Sequence, residues 1–231
     1  MLELFPEGFE ERQGEDWLEL AAYTDDDDGP ARATFSRVEV SAVLDDWADR
    51  WREFHRPARL GPLWVGPPWL DAPGDAIPVV IEPGRAFGTG AHPTTRLCVE
   101  LLLEVEAGSL LDVGCGSGVL AIAAAKLGFG PITALDHDEA ATEAASRNAA
   151  ANGIQMHVVT RDALDAKPLP EADVTVANIA LQAIRSLAPR VRSPLLVASG
   201  YLAHDDPRPE GFQREKRLEA DGWAAEMYAR E

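Results

Sequence analysis

Cations are scarce in this chain. Its 231 residues carry 21 Lys and Arg against 39 Asp and Glu, a formal net charge of -18 at pH 7. Phosphate backbones reward clustered cations, so direct nucleic-acid binding is not expected. An acidic chain draws in a basic partner by long-range attraction, or it is simply soluble; composition leaves both open. Cysteine is nearly absent, and Cys98 and Cys115 cannot form a disulfide scaffold. No run approaches the roughly 18 apolar residues of a membrane span. The acidic N-terminus lacks the apolar stretch of a signal peptide. No membrane partner and a reducing cytoplasm are the resulting expectations. His55, His137, His157 and His204 show no mutual metal-ligand spacing, so no metal is expected.

What is present suits an ordinary globular protein, with 46% hydrophobic and 26% charged residues. At roughly 150 residues per domain, the length suggests one full domain and a smaller piece. No internal repeat is seen. Residues 9–12 and 17–20 flank Gln13-Gly14-Glu15-Asp16 and read as a hairpin. Residues 25–30 are a like-charge run closed by Gly29-Pro30, a solvated loop or a docking site for a basic partner. A strand is expected at 35–40. Leu44, Trp47, Trp51 and Phe54 share one face of an expected helix. From 56 to 78 prolines and glycines recur, which reads as an extended linker packed by Trp64 and Trp69, with nothing longer than short strands.

Beyond about Ile77 strands and helices alternate. Strands are expected at 110–113, 132–135, 156–159, 174–177 and 195–198, and helices at 118–127 and 139–151. Such alternation means an α/β fold, a parallel sheet with helices on both faces. Residues 212–218 and 223–228 flank Asp221-Gly222, a strong hairpin signal, and the charge of the first run suits an exposed edge. Between 198 and 212 there is too little chain for a crossover helix, so an extended connection is expected.

Leu111-Asp112-Val113-Gly114-Cys115-Gly116-Ser117-Gly118 follows a strand and opens a helix. The glycines permit a tight turn and close approach of a ligand to the backbone, and the helix N-terminus presents N–H groups. Asp136 ends the next strand, where an acidic side chain takes both hydroxyls of a ribose. A dinucleotide fingerprint needs its third glycine one residue later. Asp112 would also repel a pyrophosphate, but it suits the cationic methionine part of S-adenosylmethionine. The pattern resembles motif I of class I methyltransferases. Cys115 within it reads as packing.

A second motif, residues 82–97, contains Phe87-Gly88-Thr89-Gly90-Ala91-His92-Pro93-Thr94-Thr95. By itself it is a glycine-rich loop leading into a helix, with Thr94 as a plausible N-cap. With motif I it resembles the PrmA family, the ribosomal protein L-eleven methyltransferases. The likeness runs from about Trp47 to Glu231 and includes Val176-Ala177-Asn178-Ile179, Ser199-Gly200 and the final hairpin. It implies a Rossmann-like class I methyltransferase sheet with a C-terminal antiparallel hairpin, beside a small α+β recognition domain. The expected division is 1–45, a partial recognition domain; 46–78, helix and linker; and 79–231, the catalytic domain. Only about 45 residues precede the Trp47 helix, so the first strand and most of the first helix of that recognition domain are expected to be missing. Either Met1 is a misplaced start, or the domain is reduced.

The resemblance implies S-adenosyl-L-methionine as cofactor. Thr94, Gly114, Asp136 and Asn178 match the family's cofactor-contacting positions, with Asp112, Gly116 and Gly118 completing motif I. Asp162 is where such enzymes often bind the adenine amine, though it could only cap a turn. Enzymes acting on planar nitrogens carry Asn-Pro-Pro-Tyr where this chain has Asn178-Ile179-Ala180-Leu181, which points to an aliphatic amine. His92 either orients or deprotonates that amine, or holds its loop by a hydrogen bond. The implied reaction is methyl transfer to lysine ε-amino or N-terminal α-amino groups of a basic ribosomal protein, with Asn178 and His92 as catalytic candidates. Two alternatives stay open: a methyltransferase for another protein or small-molecule amine, and a cofactor-binding module without turnover.

Overall fold

In the computed structural model, the described residues are 10–13, 18–21, 57–83 and 90–231. The chain divides into two units, Met1–Trp51 and Arg52–Glu231. Of the first, an antiparallel pair is described: β1 (Glu10–Gln13) and β2 (Leu18–Ala21), with Glu10 opposite Ala21 and Gln13 opposite Leu18. This is the hairpin expected there. The acidic run at 25–30, the strand at 35–40, the helix at 44–54 and Phe87 lie outside the described residues.

The second unit is built on a seven-stranded sheet. Its strands are β6 (Leu110–Val113), β7 (Ile132–Asp136), β8 (His157–Thr160), β9 (Val174–Asn178), β10 (Leu195–Leu202), β11 (Phe212–Ala220) and β12 (Trp223–Arg230), in the order β11-β12-β10-β9-β6-β7-β8. The five strands β6 to β10 run parallel, and β12 and β11 add antiparallel. Central β6 is buried along its whole length, as expected of a parallel strand covered on both faces. Leu110 joins one core, with α1 (Pro93–Leu102), α2 (Val119–Lys126) and α3 (Glu139–Ala151). Leu111 and Val113 join the other, with α4 (Leu181–Leu187). The helices therefore lie on both faces, as the alternation implied. Helix α4 escapes a sequence reading because its seven residues bury only Ile184 and Leu187.

The proline-rich stretch holds three strands, as short as expected there: β3 (Ala58–Leu60), β4 (Leu63–Gly66) and β5 (Ile77–Val80). They pair as β3-β4-β5, and Leu60, Leu63, Val65 and Val79 enter the same core as Leu97 and Leu101 of α1. Pro62 sits in the tight turn between β3 and β4 and Pro78 within β5, positions where a missing N–H is tolerated at a turn or sheet edge. At the C-terminus, Asp221 (φ 52°) and Gly222 (φ 80°) make the two positive-φ positions of a tight hairpin turn. Strand β11 is an edge, as its charge implied.

Residues 203–211 contain no helix or strand. Side chains hold this link instead. Arg185 donates to the carbonyls of Asp206 (2.9 Å) and Pro207 (3.1 Å), and Arg217 donates to those of Ala203 and Asp205. Arg214 and Arg217 also converge on Glu226, which is fully buried, at 2.8 and 2.6 Å. The hydroxyls of Tyr201 and Tyr228 donate to the same carboxylate. Removing one partner of a buried charge network leaves the rest uncompensated. Glu226→Ala should therefore cost about 3 kcal/mol, the low end for a broken buried pair because both guanidiniums keep some exposure. Urea unfolding of parent and variant measures it, and a loss near zero would mean that the network is neutral.

Candidate cofactor and active site

The turn from β6 into α2 is tied to β7. The N–H groups of Gly114 and Cys115 donate to the Leu135 carbonyl at 2.8 and 3.0 Å. Gly116 N–H donates to Asp136 Oδ2 at 2.9 Å, and Asp138 N–H to Asp136 Oδ1 at 3.1 Å. Asp136 thus pins the glycine loop from the end of the next strand. Gly118 caps α2 in the left-handed region, against Ala145 of α3. Gly114 (φ +73°) and Gly200 (φ +100°) form two notches around one residue. A Cβ on Gly114 would meet Ile179 Cγ2 at 2.3 Å, and one on Gly200 would meet the Ile179 carbonyl oxygen at 2.3 Å. Two distant glycines therefore seat the segment that follows Asn178.

Three predicted residues meet in one hydrogen-bonded chain. Asn178 Nδ2 donates to Thr94 Oγ1 at 3.1 Å, and Thr94 Oγ1 lies 2.7 Å from His92 Nδ1. His92 Nδ1 accepts the Thr94 N–H and so carries no proton; the Thr94 hydroxyl donates to it, and the proton of the neutral ring belongs on Nε2. The N-cap of α1 is His92, not Thr94. His92 has extended backbone (φ -65°, ψ 139°), and its Nδ1 accepts the Thr94 N–H at 3.3 Å, while Thr94 lies inside the helix after Pro93. Burial holds the His92 imidazole below its ordinary pKa, which favours the neutral ring. The ring meets Trp223 edge-on, with centroids 4.8 Å apart. Trp223 was legible in the sequence only as the start of a hairpin strand.

Asp112 lies on the α2 side of the sheet, and only 1% of it is exposed. Oδ2 accepts the Ala121 N–H at 3.1 Å, while Oδ1 is buried with no partner among the described residues. Burial, reinforced by the charge of Asp136, pushes its pKa up to about 7. On the opposite face a cleft of about 240 Å³ opens between the strand ends and α4, lined by Gly114, Asp136, Asp162, Leu164, Ile179 and Leu187 among others. Asp162 Oδ1 accepts the Leu164 N–H at 2.8 Å, so this side chain caps a turn while also lining the cleft. Arg161 lines it too and carried no sequence signal. Cys98 and Cys115 are buried, and burial raises both thiols well above their ordinary value. Among the described residues no cluster of His, Cys, Asp or Glu is suited to a metal, and no helix is long and apolar enough to cross a membrane.

A parallel sheet closed by an antiparallel hairpin, a glycine turn after the central strand and an acidic residue ending the next together define a class I methyltransferase fold. The chain belongs to the ribosomal protein L11 methyltransferase (PrmA) family, whose profile matches residues 10–225. It is 40% identical over 174 residues to the ribosomal protein L11 methyltransferase of Aeromonas hydrophila, covering 71% of this chain and 60% of that protein. It is 39% identical over 192 residues to that of Salmonella newport, covering 77% and 66%. The crystal structure of the ribosomal protein L11 methylase from Lactobacillus delbrueckii subsp. bulgaricus superposes with a TM-score of 0.66 at 31% identity, over 77% of this chain and 100% of that one. The chain spans about 60% of the length of the Aeromonas relative.

The raised pKa of Asp112 has a definite sign. Its folded value lies above its unfolded one, so its contribution to stability is full below about pH 4 and is lost as pH rises through about 7. Asp112→Asn removes this titration. The melting temperature of the variant relative to the parent should rise between about pH 5 and about pH 8. A relative melting temperature that is flat across this range would show that Asp112 does not titrate there.

Proposed function

We propose that this chain transfers methyl groups from S-adenosyl-L-methionine to lysine ε-amino or N-terminal α-amino groups of ribosomal protein L11. The observation that carries the reading is the hydrogen-bonded Asn178–Thr94–His92 chain at the end of β9, next to Ile179, which packs against Gly114 of the glycine turn. The residues present fit the cofactor. The unpartnered Oδ1 of Asp112 suits an ammonium group, and Gly114 lines the cleft without a side chain. We assign the ribose hydroxyls to Asp136 and the adenine amine to Asp162, both of which line the cleft, and the shape of the glycine turn to Gly116 and Gly118. S-adenosylmethionine supplies an electrophilic methyl group when bound.

The chain's own residues have two tasks. The first is alignment of the amine, which in well-oriented systems lowers a barrier by roughly 7–11 kcal/mol. The second is a neutral amine, since a lysine with pKa about 10.4 is mostly charged near neutral pH. With its Nδ2 committed to Thr94, Asn178 has Oδ1 left to accept an amine N–H. His92 works through Thr94: its Nδ1 already serves the Thr94 hydroxyl and N–H, which makes it a positioning group rather than a direct base. Trp223 packs behind it. We assign catalysis to residues 79–231, recognition to 1–45 and their connection to 46–78. The net charge of -18 favours a basic protein substrate over nucleic acid. A ribosomal protein substrate places the reaction in the cytoplasm.

Intact-mass spectrometry of ribosomal protein L11 from the same organism, incubated with the chain and S-adenosylmethionine, tests the proposal. Mass steps of one methyl group, mapped to lysine or the N-terminus, are expected. Binding of cofactor without any mass step on this substrate would overturn the substrate assignment. Asn178→Ala should lower turnover by about 100-fold or more, the scale seen when one positioned polar group is lost from a transition state. Near-normal turnover would remove Asn178 from the mechanism.

A further inference from the structure

Residues 161–173, between β8 and β9, contain no helix or strand, yet they supply one wall of the cleft through Asp162, Ala163 and Leu164. Backbone bonds hold the two ends of the segment, at Arg161 and Asp173, and two arginines grip the carbonyls between them. Arg161 donates to the Asp165 carboxylate at 2.7 and 3.1 Å, to the Lys167 carbonyl at 2.5 Å and to the Pro168 carbonyl at 3.1 Å. Arg190 reaches the same segment from the far side. It ends the 3-10 turn Ala188–Arg190 directly after α4, and its Nη2 donates to the carbonyls of Asp165 and Lys167. Helix α4 supplies the opposite wall through Ala183 and Leu187. Arg190 is not itself in the cleft lining, and its Nε is buried without a partner among the described residues. The guanidinium keeps this position despite an unsatisfied donor, so its contacts with the loop carbonyls set its place. The Arg161 guanidinium holds the Asp165 carboxyl below its usual range, which keeps the pair ionised.

We infer that Arg161 and Arg190 are positioning residues that set the width of the ring end of the cleft: Arg190 ties the loop wall to the turn after α4 through the carbonyls of Asp165 and Lys167, and Arg161 folds the same loop on itself so that those carbonyls stay in reach. The inference rests on the cofactor reading above, in which a flat purine ring lies between these walls. A slot of fixed width admits a ring edge and rejects bulk attached to it. If the tie from α4 is cut, the walls can part. A ring that needs a narrow slot then binds less well, while a ring carrying a bulky substituent gains room.

The test is isothermal titration of the full chain with S-adenosylhomocysteine and with its N6-benzyl analogue. Arg190→Ala should raise the Kd of the parent ligand about tenfold, while the Kd of the analogue stays within about twofold. Selectivity between the two ligands, the ratio of their Kd values, then falls by about fivefold or more. A merely structural role would weaken both ligands in parallel, and that outcome, or no change in either, overturns the inference. Arg190→Lys keeps one donor and should restore intermediate selectivity. Should Arg190→Ala not fold, Arg190→Lys and Arg161→Lys carry the same comparison, and a parallel shift in both overturns it. Failure of the unaltered chain to bind S-adenosylhomocysteine would overturn the cofactor reading itself, which is a separate result from an unaltered selectivity ratio.

Discussion

One buried amide joins the two motifs of the site. Asn148 of α3 is 3% exposed; its Nδ2 donates to the Ser117 carbonyl in the glycine turn at 2.9 Å, and its Oδ1 accepts the Glu82 N–H at the start of the second motif at 3.0 Å. One turn further along α3, Asn152 meets both backbone groups of Val80, at 2.8 and 2.6 Å. These amides do for β5 what a neighbouring strand would do: they satisfy its free edge. A buried amide stripped of its partners costs about 1–3 kcal/mol, so the distance between the motifs is held firmly. The helix that carries the amides is itself capped by Asp138, two residues beyond Asp136, so that loop, acid and amides form one connected frame.

The placement of the site follows from topology. β6 lies between β7 and β9, and the chain leaves it in one direction toward β7 and β8 and later returns on its other side at β9. At such a switch point the crossover connections diverge to opposite faces and leave a crevice at the carboxyl ends of the strands. Asp112, Thr94 and Asn178 gather beside α1 and α2, while Asp162 and the cleft lie on the α4 side. A ligand charged at one end and flat at the other matches that division. Asp112 is the costly element. Its carboxyl is buried with one oxygen unpartnered among the described residues, and under the proposed reading the ammonium group of the cofactor would complete it.

The α4 side of the sheet shows a second economy. Both long links on that side, 161–173 and 203–211, run without a helix or strand, and in both arginines take over the work of backbone pairing. Arg161 and Arg190 grip the carbonyls of the first, and Arg185 and Arg217 those of the second. A guanidinium offers several donors in a fixed fork, so one side chain can organise several carbonyls of an irregular segment. Few cations are available in so acidic a chain, and several of its arginines are committed to shaping loops.

Much of the architecture was legible because its signals are local. The alternation of strands and helices, the Asp221-Gly222 hairpin and the glycine turn after β6 depend on residues within a few positions of one another. The charged run of β11 announced an edge for the same reason. Local pattern failed where the deciding partner lay far along the chain. That the stretch 56–78 holds nothing longer than short strands was legible, but that β3 to β5 pair with one another and enter the core under α1 was not, because those contacts lie far along the chain. Thr94 looked like a helix cap by residue type, but the backbone turns one step earlier and gives that role to His92. The meeting of Asn178 with Thr94, 84 positions apart, and the tie from Arg190 to Lys167 exist only once the sheet is assembled. The sequence by itself therefore determined the order of the elements and the chemical types at their ends, through turns and periodicities that need no distant contact. The tertiary structure alone decided which of those groups touch, because hydrogen bonds between distant segments depend on strand order and packing rather than on any neighbour in the chain.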